Sequence, residues 1–317
     1  NARTLARALE GWLEQESDQG DAHAQLIERV RQLGVLPALP GAAARAARLA
    51  MMERQHTEEL AEIVMRDAAL TLELLRAVNS AQVRGTQVSG NGPVLTVRRA
   101  IAMIGLEGVR RSALAMRHWP GPLDATGAAE LELTLATAQR AARLAQALRP
   151  PGYDAEMAAL VTLLQNLGRL VLQYHYPEEM RQVRRLMQPA PAVVPGEADQ
   201  PGMAEQAAGY AVLGADIDSM ALAVARWMGL GGAADDAVLL LMRRLPLDKP
   251  VRSADSDDAV LRALASAANE AVDALALPTA RQAAAIERVA KSYARVLEVD
   301  ARDLTVALHA RTAGTGP

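Results

Sequence analysis

The chain has no cysteine and no phenylalanine, and aromatic residues make up only 3% of its 317 positions. Without thiols there is no disulfide framework, no Cys-type zinc site and no sulfur nucleophile, which fits a reducing, cytoplasmic setting. Without Phe, a core must be filled by Leu, Val, Met and closely packed Ala-lined helices, so a hydrophobic content of 50% points to an all-α fold. No apolar run approaches the roughly 18 residues of a membrane span, and no membrane association is expected. Neither sign of charge dominates. The 34 basic and 37 acidic residues leave −3, which gives no global attraction to nucleic acid. The start, Asn1-Ala2-Arg3, shows neither Met nor a signal pattern and reads as a piece of a longer chain.

The chemistry-bearing residues are sparse. The histidines at 23, 56, 118, 175 and 309 are scattered, none adjoins an acid, and no pair has metal-binding spacing, so neither metal nor cofactor is expected. His175 reads as a helix-end histidine bonded to a backbone carbonyl. Ser80 has no base near it in sequence and is expected to help Asn79 end a helix. Ala301-Arg302-Asp303-Leu304 echoes a kinase catalytic loop, but the leading His is absent and Leu308 stands where a metal-binding Asn would. Gly229 to Gly232 reads as an interhelical turn because no Lys follows it. Arginine pairs at 98/99, 110/111, 184/185 and 243/244 lack interleaved aromatics and read as solvated helix faces.

Apolar spacing and breakers divide the chain into helices. Leu5, Leu9, Trp12 and Leu13 stripe a short first helix predicted to stop at the polar run Ser17 to Asp21, before a second carrying Leu26 and Val30. Gly34, Pro37 and Pro40 make Leu36-Pro37-Ala38-Leu39-Pro40 a rigid extended corner. A helix over about 42–52 follows. Thr57 and Asp67 are predicted caps, the second for a helix ending at Asn79-Ser80 before a loop with Gly85, Gly90, Gly92 and Pro93. Thr96 opens a helix that Gly105 divides, and another runs from about 128 to 148. In the central stretch, Leu160, Leu163, Leu164, Leu167, Leu170, Val171 and Tyr174 form one stripe if the helix continues through Gly168. That register leaves Gln165 on the outer face with Thr162 and Arg169, and Asn166 on its flank, both as solvated amides. Gln188 to Gly202 holds four prolines and is expected to be a mobile surface loop. A polar linker over 248–258 introduces roughly three final helices.

Leu36 to Pro40, Asp67 to Leu70 leading to Asn79-Ser80-Ala81, Ala100-Ile101 before Gly105, and Leu163 to Gly168 together resemble the HDOD family, the HD-related output domains of bacterial signalling proteins. The resemblance implies a two-lobed, all-helical fold whose second lobe is akin to the HD phosphohydrolases. It also implies a connector over 1–22, lobes over 23–122 and 123–247, and a C-terminal helical extension over 248–317. The positions carried over as family structural residues are Leu36, Pro37, Pro40, Asp67, Asn79, Ser80, Gly105 and Gly168. In the hydrolases, histidines and aspartates hold metal ions that generate hydroxide. Here Leu133, Gln165, Asn166, Tyr210, Arg243 and Arg244 occupy the corresponding places, a degenerate site.

An amide cannot deprotonate to hold a divalent cation, so the resemblance implies a catalytically inactive regulatory module that acts on a partner protein or an upstream domain of its own chain. The beginning of the chain and Ser266 to Asp273 look like a subgroup in which the module follows a serine/threonine-kinase-like domain. Two alternatives stand beside this reading. Arg169, Arg243 and Arg244 are candidates for binding a nucleotide or other anion in the vacated pocket; alternatively, the chain is a divergent phosphohydrolase that uses Tyr210 and Arg243 without metal.

Overall fold

The structure is a computed structural model that describes residues 2–51, 57–80, 93–191, 200–231 and 237–310, with the side chains of 2–15 and 17 excluded. Among the described residues there are fifteen α-helices and no strand, the all-α architecture that the composition requires. The first helix, α1, runs unbroken over Ala2–Leu33. The predicted break at Ser17 to Asp21 does not occur, because solvated polar residues cost a helix little and a single Gly only about 1 kcal/mol. The side chains of the predicted stripe Leu5, Leu9, Trp12 and Leu13 lie outside the described set.

The first lobe consists of α2 (Ala42–Leu49), α3 (Thr57–Met65) and α4 (Ala68–Asn79) packed on α5 (Val97–Ala115). Thr57 is the first residue of α3, with Glu58 and Glu59 in its first turn; the preceding residues 52–56 lie outside the described set. The Leu-Pro corner is extended as expected. Ala38 donates its N–H to the Arg117 carbonyl at 3.1 Å, and Leu36, Pro37 and Ala38 are buried while Pro40 is exposed. Asp67 joins this corner to α4. Its carboxylate accepts from the Leu70 N–H at 2.8 Å, as an N-cap should, and from the Leu39 N–H at 3.2 Å. Burial raises the Asp67 pKa even though these donors favour the anion.

Thr96 precedes α5 without capping it. Glu156 does so from the other lobe: its carboxylate accepts from the Val97 and Arg98 N–H groups and from Arg98 Nε at 2.7 Å. Arg98 also reaches Asp154 at 2.6 Å. Gly105, with φ of 69°, breaks α5 into two segments where a break was predicted.

The remaining helices are α6 (Ala125–Leu148), α7 (Ala155–Leu164), α8 (Leu167–His175), α9 (Pro177–Met187), α10 (Glu205–Leu213), α11 (Ile217–Trp227), α12 (Ala237–Met242), α13 (Asp257–Ala274), α14 (Thr279–Leu297) and α15 (Ala301–His309). Two large apolar cores result, beside a small cluster of Val78, Val94 and Ala100. One extends from Leu26 to Met242 and takes in both lobes; the other joins α13, α14 and α15 to the far sides of α6 and α7. Leu160, Leu163 and Leu164 of α7 face the first core, and Ala158 and Val161 the second. A helix between two cores must be apolar all round, as Ala-Glu-Met-Ala-Ala-Leu-Val-Thr-Leu-Leu nearly is.

Arg184 does not lie on the plain solvated face expected of it, and Arg181 one turn before it acts with it. Both pair with Glu130 of α6 at 3.0 Å and fasten α9 across the bundle. The proline-rich segment is pinned at its ends by paired backbone bonds between Ala190 and Gln200, at 3.0 and 2.9 Å. Residues 192–199 within it, and 81–92 with Gly85, Gly90 and Gly92, lie outside the described set.

The end of α4 is a joint between the lobes. Asn79 donates to the Leu75 and Val94 carbonyls at 2.8 and 2.9 Å and accepts from the Val94 N–H at 2.8 Å. Ser80 donates to the Ala77 carbonyl at 2.9 Å, the helix-ending role expected of it. Gly229, with φ of 81°, comes so close that a Cβ there would stand 2.2 Å from the Asn79 carbonyl oxygen. Asn79→Ala should strand two backbone groups of Val94 and cost about 2–3 kcal/mol, read as a lower urea midpoint.

His175 sets a second joint. It is 1% exposed, and its Nε2 donates to the Gly34 carbonyl at 3.1 Å. Nδ1 is buried without a partner among the described residues, so a second proton would be added to an unsolvated nitrogen. Burial and the nearby Arg29 pull its pKa down to about 4. The unfolded chain therefore binds the extra proton first. Stability should fall by about 3 kcal/mol as pH drops from 6.5 to 4, and His175→Gln should flatten that part of the pH profile of the denaturation midpoint.

Candidate functional site

The central helix does not continue through Gly168. It stops at Leu164, Gln165 and Asn166 form the bend, and α8 resumes at Leu167 with an angle of 47° between the two helices. Gly168 lets α8 press against α11, since a Cβ there would lie 2.7 Å from the Ile217 carbonyl oxygen. The bend turns both amides away from solvent. Gln165 is 7% and Asn166 4% exposed, so the expectation of solvated amides fails. Its premise was a continuous helix with one wet side, whereas α7 has none.

Every polar group of this bend is engaged. Gln165 Nε2 donates to the Leu241 carbonyl at 3.0 Å and to Ser266 Oγ at 3.2 Å, while its Oε1 accepts from Asn269 Nδ2 at 3.2 Å. Asn166 Nδ2 donates to the Thr162 carbonyl at 3.0 Å and to Asn269 Oδ1 at 2.6 Å. Its Oδ1 accepts from Arg244 Nη2 at 2.7 Å. Ser266 and Asn269 come from α13, which lies across α6 and α7 and covers the bend.

Charge enters at one edge. Arg244 and Arg169 both donate to Asp273 Oδ2 at 2.7 Å, and Arg169 forms a two-pronged pair with Glu205 at 2.8 Å. Glu270 stands 3.7 Å from Arg244. Burial opposes ionisation of Asp273, but Arg169 and Arg244 outweigh it, and the carboxyl titrates below its ordinary value. Burial likewise opposes the charge on Arg169, and Asp273 with Glu205 raises its pKa further above the usual guanidinium range. Glu270 moves the other way: its burial, only partly offset by Arg244, raises its pKa.

The residues carried over from the resemblance are therefore only partly brought together. Gln165, Asn166, Arg169 and Arg244 share the network. Leu133 does not: it is 69% exposed on the outer side of α6, because the inward stripe Leu131, Leu135, Ala138 places it opposite. Tyr210 is half-buried on α10 and makes no side-chain hydrogen bond to the network among the described residues. Arg243 is exposed; its carbonyl accepts from Arg262 Nε at 2.8 Å, and its guanidinium makes no hydrogen bond or ion pair among the described residues. The anion-binding trio of Arg169, Arg243 and Arg244 is corrected accordingly. Two members are already neutralised by Asp273 and Glu205, and the third points elsewhere.

The partners on α13 went unassigned in the sequence, although a signal was there. Ser266, Asn269, Glu270 and Asp273 stand at i, i+3, i+4 and i+7 in an Ala-rich helix, a polar stripe that needs a buried polar partner. A divalent metal does not fit this set. Both amide oxygens are turned to donors, Gln165 Oε1 to Asn269 and Asn166 Oδ1 to Arg244, and the carboxylates are held by guanidinium groups that would repel an ion. Among the described residues no three His, Cys, Asp or Glu side chains stand together with metal-holding geometry. Replacing Asp273 by Leu should leave the half-buried Arg169 and Arg244 guanidinium groups each short of one partner, and lower stability by up to roughly 3 kcal/mol in chemical denaturation.

The HDOD domain family matches residues 36–215. Among solved structures, the MmoQ response regulator of Methylococcus capsulatus is 25% identical, with 86% of this chain and 98% of that one covered and a TM-score of 0.55. A virulence factor of Campylobacter jejuni is 17% identical over 92% of this chain and 95% of that one, with a TM-score of 0.61, and shares the fold. No curated protein matches the chain.

Proposed function

The chain belongs to the HDOD family, and on that premise we propose that it is a non-catalytic signalling output module that works by contact with a partner protein in the bacterial cytoplasm. The partner is a separate signalling protein or a domain joined upstream. One observation supports the reading: the hydrogen-bonding groups of Gln165 and Asn166, which the resemblance sets at the hydrolases' His-Asp pair, are taken up by Ser266, Asn269 and Arg244. The likeness to a chain named a response regulator supports the signalling half of the proposal. The chain divides, on this reading, into a connector over 1–22, a two-lobed body over 23–247 and an extension over 248–317. The extension then supplies the helix that covers the former site.

Without a metal, a divergent hydrolase would have to draw its barrier reduction from Tyr210 and Arg243, which provide no identified nucleophile or base and are not held together. The proposal is tested with the purified chain and with the Gln165→His/Asn166→Asp double variant, both assayed for bound metal by elemental analysis and for phosphodiester hydrolysis with Mn²⁺ or Mg²⁺. No stoichiometric metal and no turnover are expected in either. The double variant should also melt at lower temperature, because a carboxylate replacing the Asn166 amide would face the Thr162 and Asn269 oxygens. Metal-dependent hydrolysis by either protein would overturn the assignment.

A further inference from the structure

The cluster at the bend is filled, but a separate cleft between the lobes is not. A cavity of about 360 Å³ opens between α3 and α4 on one side and α6 and α7 on the other. That volume lies within the range of small-molecule sites, which favour such junctions. Its floor is apolar and includes Leu160 and Leu163. Some of its polar lining is already used: Gln139 donates to the Met65 carbonyl at 3.3 Å and Thr71 to the Val64 carbonyl at 3.1 Å.

Four side chains in the cleft remain unspent. Arg66 from the first lobe and Arg143 from the second line it, and neither guanidinium has a hydrogen bond or ion pair among the described residues. The same holds for the Glu62 carboxylate and the Gln146 amide. This contrasts with Arg76, Arg98, Arg169, Arg181 and Arg244, each paired with a carboxylate. Two arginines against one glutamate leave the cleft positive. Arg66 also borders an adjoining cavity of about 240 Å³ that carries Arg45. Two free guanidinium groups over an apolar floor match an anion joined to a flat, weakly polar body, with Gln146 and Glu62 available for N–H and C=O groups on that body.

We propose that this inter-lobe cleft binds a nucleoside monophosphate, with its phosphate on Arg66 and Arg143 and its base against Leu160 and Leu163. Because the contacts come from both lobes, the bound ligand adds a further link between them. The site is distinct from the Gln165-Asn166 bend and does not depend on how the module meets its partner.

The test is calorimetric titration of the chain with AMP, GMP, adenosine and inorganic phosphate. At least one mononucleotide should bind saturably, about tenfold or more tighter than phosphate or adenosine alone. Arg66→Gln/Arg143→Gln should weaken it by about tenfold or more with the thermal midpoint unchanged, since both arginines are exposed and unpaired. Arg243→Gln, exposed and outside the cleft, should have no effect, and Glu62→Gln should tighten phosphate binding by removing the opposing charge. Four outcomes would overturn the proposal: no saturable mononucleotide binding, phosphate alone binding as tightly, binding indifferent to the arginine double variant, or an equal loss in Arg243→Gln.

Discussion

Buried amides must have partners, and much of the second half of this structure follows from meeting that requirement at Gln165 and Asn166. The pair sits at a bend between two apolar helices, where water cannot serve it. An unmet amide there would cost a few kcal/mol. The donors and acceptors that answer it come from α13 and from Arg244, so the helix that satisfies the bend also closes it. Arg244 in turn requires Asp273, which is shared with Arg169, which requires Glu205. The chain of needs ends at α10, and it ties four separate stretches of sequence to one point.

The same logic operates within the first lobe and between the lobes with different residues. Glu156 caps α5 from the first turn of α7, Asp67 holds the Leu-Pro corner against α4, and Gly229 admits the end of α4 at a distance no side chain allows. The first two are backbone N–H groups satisfied by a carboxylate, and the third is a close approach that only a glycine permits. Such joints fix direction as well as stability, because a helix terminus accepts a carboxylate in a narrow range of positions. The lobes are thus held at their edges while the cleft beside α3 and α6 keeps its arginines free.

The two arginine-bearing regions illustrate how burial changes what a charge can do. At the bend, Arg169 and Arg244 sit among Glu205, Asp273 and Glu270, and their charge is consumed in holding helices together. In the cleft, Arg66 and Arg143 are exposed, and their charge is available to a ligand. Residue type alone does not separate these cases.

The sequence by itself determined what depends on near neighbours. The lack of Phe and Cys with abundant Ala and Leu called for helices, the Leu36 to Pro40 corner called for extended chain, Asp67 for a cap and Gly105 for a break, since each acts through its own backbone within a turn or two. The ordered set of these motifs also carried the family. Tertiary structure decided the rest. Gln165 and Asn166 are buried because α13, about a hundred residues later, lies over them; Leu133 is outside because the register of α6 turns it there; and α5 is capped by Glu156 rather than by the adjacent Thr96 because two lobes meet at that point. A local pattern reports which face of a helix is apolar, whereas the number of cores that helix divides is a property of the whole chain.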